Sequence, residues 1–347
     1  MKHIILFDQD LQTYREGVYR FFTEEFEKMG YKLIVLYDKN QNDRIIAADN
    51  MMACPYSLFG FIKAVRKYRP EVIIQFVWLR YIFLFPFMIY SRFVGKKIIV
   101  WSHGINLYKK EQKLMNQFYY LRQRLANALV IYHEDQFQYI VADHSKVFVA
   151  RNTLNFHEFP SIPESKQELK TKYGLENKKV ILSVGRMNFN NRKVAHLLEL
   201  AKRLPQDQQI VLIGPGIEPE EVEHEKITFL GTIYDQQIVN EYYKLSDVFV
   251  MPGGIGLVVN QAFYHGIPIV MEDVDHSPEA GYVKPGVNGY IYGKGDMNDL
   301  HSKVQQLLND TELLKSFSKE ARNTIETEAS IEKMFDGFRN AVKYVSN

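Results

Sequence analysis

The sequence has 347 residues, 46% of them hydrophobic and 24% charged, with a net charge of +2. That balance excludes a disordered or fibrous chain, and the length suits two α/β domains of roughly 150 residues better than one core. A single cysteine, Cys54, excludes an internal disulfide framework and fits a reducing compartment.

The opening MKHIILFDQD reads as a short strand with no long apolar segment, so no secretory signal is expected and a cytoplasmic protein is. In chain order, strands are predicted at 3–7, 32–37, 72–76, 97–101, 128–132 and 146–150. Apolar residues at helical spacing mark 17–29 and 58–68. The most apolar stretch, WLRYIFLFPFMIY at 78–90, is shorter than the about 20 residues a spanning helix needs, and Pro86 interrupts it. A buried helix is expected there, with membrane contact as the rival reading.

The alternation pauses over 151–178, a polar segment with two prolines, read as a linker running into a short helix. Strands resume at 179–185, 209–214, 227–231, 247–251 and 268–272, and 311–345 is helical. Strands alternating with helices give parallel sheets with right-handed crossovers. Two such halves leave a cleft where the carboxyl ends of both sheets can face each other, and ligands of open α/β sheets bind outside those ends.

The segment SDVFVMPGGIGLVVNQAFYHGIPIV, 246–270, runs from a strand through Gly253, Gly254, Ile255 and Gly256 into a helical pattern near Leu257. Glycines let the backbone approach a ligand, and free N–H groups at a helix start favour a phosphate. Taken alone, the turn could equally be a tight structural connection. In SVGRMNFNNRKVAHLL, 183–198, Arg186 directly follows a strand and Lys193 lies near the next helix start. A guanidinium and an ammonium suit a diphosphate leaving group, though two surface cations beside a loop would look the same.

This ordering resembles the GT-B glycosyltransferases, in particular the large retaining family 4. Gly185, Arg186 and Lys193 match its strand, Gly-Arg and downstream Lys. Gly214, the turn ITFLGTIYDQQI, the Gly-x-Gly-Leu turn, Gly-x-Pro-x-Val and PGVNGYIY follow in the family's order over 145–345.

The resemblance implies an α/β fold of two Rossmann-like domains facing across a cleft. The acceptor domain would be 1–155, with a C-terminal helix at about 331–347 packed back on it, and 156–330 the nucleotide-sugar donor domain. Arg186 and Lys193 become the cations on the donor diphosphate. Gly253, Gly254, Ile255, Gly256 and Leu257 become the loop that meets the diphosphate and sugar. The loop after Gly214 and the turn from Gly231 to Tyr234 become the nucleobase pocket. His103, after the strand in KIIVWSHGINLY, becomes a contact to donor sugar or phosphate. Gly17 is the nearest match to a glycine loop after the first strand, and Asn152 and Asn155 would shape the hinge.

One departure stands out. The family's two glutamates, eight positions apart, fall here on Gly253 and Gln261. Gln261 can still bond a ribose, more weakly than a carboxylate, and Gly253 offers backbone alone.

Asp8 and Asp10 form an Asp-x-Asp pair, read as loop capping or solvation rather than a metal site, and Asp273 and Asp275 are read alike. No Cys/His cluster or Walker loop appears, so neither a metal nor a cofactor is expected beyond a nucleotide-diphosphate sugar as co-substrate. The predicted activity is a retaining, metal-independent transfer to a glycan or polyprenyl-linked glycan acceptor in cell-surface polysaccharide synthesis. A non-catalytic nucleotide-sugar-binding subunit is the first alternative and a nucleotide-sugar epimerase the second.

Charge adds a last expectation. Residues 1–150 hold 21 Lys and Arg against 14 Asp and Glu, and the rest holds 22 against 27. The first half therefore either meets an anionic partner or is plain solvated surface. Cations recur at Arg66, Lys67, Arg69, Arg92, Lys96, Lys97, Lys109, Lys110 and Lys113, which predicts weak, salt-sensitive contact with an anionic membrane surface. No nucleic-acid partner is expected.

Overall fold

A computed structural model describes residues 1–38, 40, 49–107, 111–190 and 192–347. Lys109 and Lys110 lie outside the described residues. The chain divides into two compact units, 1–155 with 331–347, and 156–330.

The first unit runs β1 (Lys2–Asp8), α1 (Thr13–Lys28), β2 (Tyr31–Asp38), β3 (Met51–Cys54), α2 (Leu58–Tyr68), β4 (Val72–Phe76), α3 (Leu84–Phe93), β5 (Lys97–Trp101), α4 (Lys113–Leu125), β6 (Ala128–Ile131) and β7 (Val147–Val149). Its sheet order is β3-β2-β1-β4-β5-β6-β7, all parallel. The central strands are near-continuous apolar runs because helices cover both faces. The last helix of the chain, Ile331–Ser346, packs beside α1 through Phe22, Phe26, Phe335 and Phe338. Gly337 permits that approach, since a Cβ there would lie 2.3 Å from the Val149 carbonyl oxygen.

The second unit runs α5 (Lys166–Lys172), β8 (Lys179–Val184), α6 (Val194–Ala201), β9 (Gln208–Ile213), β10 (Ile227–Phe229), α7 (Gln236–Leu245), β11 (Val248–Met251), α8 (Val258–Tyr264), β12 (Ile269–Glu272), β13 (Gly289–Tyr292), α9 (Met297–Asn309) and α10 (Thr311–Glu328). Its order, β10-β9-β8-β11-β12-β13, is again parallel throughout. In each sheet the order reverses once, beside β1 and β4 and beside β8 and β11. Such a switch point opens a crevice at the carboxyl ends of the strands.

Four elements differ from the sequence reading. β3 and β13 are four-residue edge strands with partly exposed side chains, so neither shows a continuous apolar run. α1 begins at Thr13, four residues earlier than the apolar spacing suggests. The 78–90 stretch is only half a buried helix. α3 starts at Leu84, with Pro86 in its first turn, where the missing N–H costs no intrahelical bond. Leu84, Phe87 and Met88 are buried, whereas Ile82 and Ile89 are exposed.

Candidate active site

At the switch point of the second sheet, β8 is followed by Gly185 and the exposed Arg186, and β9 by Gly214. Gly214 sits at φ +140°, and a Cβ there would fall 1.8 Å from the Gly185 carbonyl oxygen. Only glycine lets the two strand ends meet. The Gly214 N–H donates to the Gly231 carbonyl at 2.7 Å, so these two predicted residues are adjacent at the sheet edge. Tyr234 is not buried with them: its side chain is 88% exposed.

Lys193 caps α6 in the left-handed region, at φ +44°. Its ammonium pairs with Glu272, a fully buried carboxylate at the end of β12. The same carboxylate accepts the N–H of Gly253 at 2.8 Å and of Gly295 at 2.9 Å. Burial pushes the Glu272 pKa up, but the hydrogen bonds from Lys193, Gly253 and Gly295 outweigh it and hold the carboxyl below its usual range. Glu272 thus fixes a predicted phosphate cation and the predicted glycine loop at once.

His276 completes the brace. Its Nδ1 faces the Ile255 N–H at 3.2 Å and its Nε2 faces the Glu272 carbonyl at 2.7 Å. Nδ1 must therefore accept and Nε2 carry the proton, which is the neutral ring. Burial lowers its pKa and favours that form.

These contacts refine the loop. The Gly253 and Ile255 N–H groups are committed to Glu272 and His276, and the Ile255 side chain is buried in the core. Neither is available to a ligand, contrary to the sequence reading. The N–H groups of Gly254 and Gly256 have no partner among the described residues. Leu257 caps α8, which has only seven residues. Gln261 donates through Nε2 to Asn240 Oδ1 at 3.2 Å, which leaves its carbonyl oxygen to accept. Asn240 Oδ1 also accepts from His265 Nε2 at 2.8 Å.

In the first unit, Gly17 is not in a loop. It lies buried in the second turn of α1, where its carbonyl accepts Asn155 Nδ2 at 3.1 Å. Asp8 does cap the loop, its Oδ1 accepting the Asp10 N–H at 3.3 Å, but it is not solvated. It is fully buried, receives the Tyr19 hydroxyl at 2.5 Å, and stands 3.8 Å from Arg15 Nε. Burial raises its pKa to about 6, against the opposing pull of Arg15. Arg15 in turn lies over the Phe76 and Trp101 rings.

His103 stacks on Tyr132 and accepts at Nδ1 from Gln136 Nε2, 2.8 Å away. Tyr132 N–H holds the other end of that amide. Burial first, then Arg15, lowers the His103 pKa to about 4. The ring is therefore neutral near pH 7 and can donate from Nε2, but it brings no positive charge to a phosphate.

Glu272, His276 and Asn240 escaped the sequence reading. The available signal was an acid ending the apolar run IVME at the carboxyl edge of a strand, where side chains reach the crevice. Among the described residues, no three His, Cys, Asp or Glu side chains cluster as a metal would require.

The two parallel α/β units give the chain the GT-B fold. An Anabaena protein, HepE, crystallised in complex with UDP, is similar over 99% of this chain and 100% of that one, at TM-score 0.77 and 14% identity. Residues 178–310, all within the second unit, match the family described as Glycosyl transferases group 1. A sulfoquinovosyl transferase of Arabidopsis thaliana is 27% identical over 175 residues, covering 48% of this chain and 34% of that protein. An N-acetyl-alpha-D-glucosaminyl L-malate synthase of Bacillus anthracis is 25% identical over 185 residues, covering 48% and 46%. The chain thus spans between a third and a half of the length of these two relatives.

Proposed function

We propose that the chain is a glycosyltransferase that moves a sugar from a nucleotide-diphosphate donor to a glycan or lipid-linked glycan acceptor. The observation that carries this reading is the assembly at the β8–β11 switch point. Arg186 has no ion-pair partner among the described residues, Lys193 is fixed by Glu272, and the Gly254 and Gly256 N–H groups are unpaired. Two cations and two N–H groups suit a diphosphate whose charge grows as the bond to the sugar breaks. UDP bound to HepE makes a uridine-diphosphate sugar the first donor to test.

In this reading the bond from the anomeric carbon to the diphosphate breaks and a bond to an acceptor oxygen forms on the same face. The acceptor's proton passes to a donor phosphate oxygen, and the donor carries no bound metal. In this reading the neutral His103 ring would donate its Nε2–H to a sugar hydroxyl or phosphate oxygen. The test is turnover with a panel of nucleotide sugars, with and without glycan and polyprenyl-linked acceptors. Thermal shift with uridine and guanosine diphosphates reports binding alone.

A second reading, a nucleotide-sugar-binding subunit without catalysis, draws on Gly253 and Gln261 standing where the resembled family has glutamates. Stabilisation by a nucleotide sugar without turnover on any acceptor would favour it.

A further inference from the structure

The first unit presents two apolar helix faces that its core does not use. Along α3 and the turn before it, Ile82, Ile89 and Phe93 are exposed, Phe93 by 89%. Along α4, Leu114, Phe118 and Leu121 are exposed, Leu114 by 84%. In both helices these positions recur at helical spacing, opposite a buried face of Leu84, Phe87 and Met88 in α3 and of Asn116, Arg122 and Gln123 in α4. The Phe85 and Phe118 rings, 6.1 Å apart, join the two stripes into one surface.

The surrounding charge has one sign. Between residues 72 and 132 the only acidic residue is Glu111. Arg92, Lys97, Lys113 and Arg124 are exposed there, and none has a carboxylate partner among the described residues. Contiguous exposed apolar area on a folded protein marks an interaction site. A second copy of the same face would bring like charges together, which disfavours self-association.

We infer that the α3–α4 face docks on an anionic phospholipid bilayer. The apolar side chains would enter the headgroup boundary while the flanking cations meet lipid phosphates. Among the described residues no helix is long and apolar enough to cross a membrane, so the contact lies along the surface. The inference stands on exposure and charge, and does not depend on the transferase reading.

The experiment is co-sedimentation of the full chain with vesicles of phosphatidylglycerol and phosphatidylcholine, or of phosphatidylcholine alone, at low and high salt. The expected result is binding to the anionic vesicles at low salt, weakened at least about tenfold by high salt or by omission of phosphatidylglycerol. A Phe93→Ser, Leu114→Ser, Phe118→Ser variant should bind at least about tenfold more weakly while melting like the wild type, because these side chains are exposed. A Lys97→Gln, Lys113→Gln, Arg124→Gln variant should lose salt sensitivity together with affinity. No binding at low salt would overturn the inference. So would unchanged binding by the serine variant, or a wild-type dimer that the serine changes dissociate.

Discussion

The Lys193 ammonium and the buried Glu272 carboxylate form an ion pair whose carboxylate also holds the Gly253 N–H. A cation suited to phosphate and the loop beside it are therefore positioned by one acid. Deleting the cation does two things: it removes charge from the proposed diphosphate site and strands a carboxylate with zero exposure.

Arg186→Ala and Lys193→Ala should therefore differ. Each is expected to lower turnover at least about tenfold, roughly 1.4 kcal/mol of transition-state stabilisation. Arg186→Ala should melt like the wild type, since its side chain is exposed. Lys193→Ala should lose about 2 to 3 kcal/mol of stability. That is below the ~3–5 kcal/mol of a fully buried pair because Lys193 is partly solvated. Adding Glu272→Gln to Lys193→Ala should restore the melting temperature but not turnover. Thermal melts beside initial rates check all three, and wild-type rates in both single variants would remove the phosphate assignment.

The glycine loop gives a second contrast. A Cβ on Gly254 or Gly256 would meet its nearest protein atom at 3.6 Å, an ordinary contact. Gly254→Ala and Gly256→Ala should leave stability within about 0.5 kcal/mol of wild type. Valine at either position should cut nucleotide affinity at least about tenfold in calorimetry by placing methyl groups over the unpaired N–H groups. Gly214→Ala, by contrast, should fail to fold the second unit, because its Cβ would overlap the Gly185 carbonyl. Unchanged nucleotide affinity in both valine variants would exclude a phosphate-contacting loop.

Much of the frame was legible because both sheets are parallel. Runs such as VIIQF and KIIVW are buried on both sides, and their limits coincide with β4 and β5. Edge strands β3 and β13 lack that pattern, so they were invisible. Arg186, Lys193 and the 253–256 turn could be placed because a residue just after a strand must lie at the sheet's carboxyl edge. What spacing does not encode is which polar group a neighbouring strand brings. Glu272 lies 79 residues from Lys193, and only the β11–β12 pairing sets it beside Gly253. Asp8 shows the same limit. Read alone, an acid after the first strand caps the loop or is solvated; in the fold, Arg15 in the first turn of α1 and Tyr19 in the second enclose it.

Metal dependence is the third test. With Arg186 and Lys193 available to neutralise a diphosphate, activity should persist at more than about half its value in a chelator such as EDTA. Assays with and without EDTA, followed by manganese or magnesium, measure this directly. Full loss restored by manganese would overturn the proposal. It would direct attention to Asp273, exposed beside the site, rather than to Asp8, whose oxygens already serve Tyr19 and Arg15.

The last prediction concerns acid sensitivity of the second unit. His265 donates from Nε2 to Asn240 Oδ1, the atom that also anchors Gln261, and it stacks on Tyr243. Burial first, then Arg322 and Lys244, lowers its pKa from 6.5 to about 3. The unfolded chain therefore takes up this proton near pH 6.5, and the folded chain not until about pH 3. The stability contributed by the neutral ring is fully present above pH 6.5 and is lost as pH falls toward 3. Between pH 7 and pH 5 the loss is about 2 kcal/mol, from a slope of roughly 1.4 kcal/mol per pH unit below 6.5. His265→Gln keeps an N–H donor but cannot titrate. Urea unfolding of both proteins at pH 7, 6 and 5 isolates the effect, because every other titrating group is common to the two. The wild type should lose about 2 kcal/mol more than the glutamine variant over that range, and parallel pH profiles would show that His265 is not held neutral by the fold.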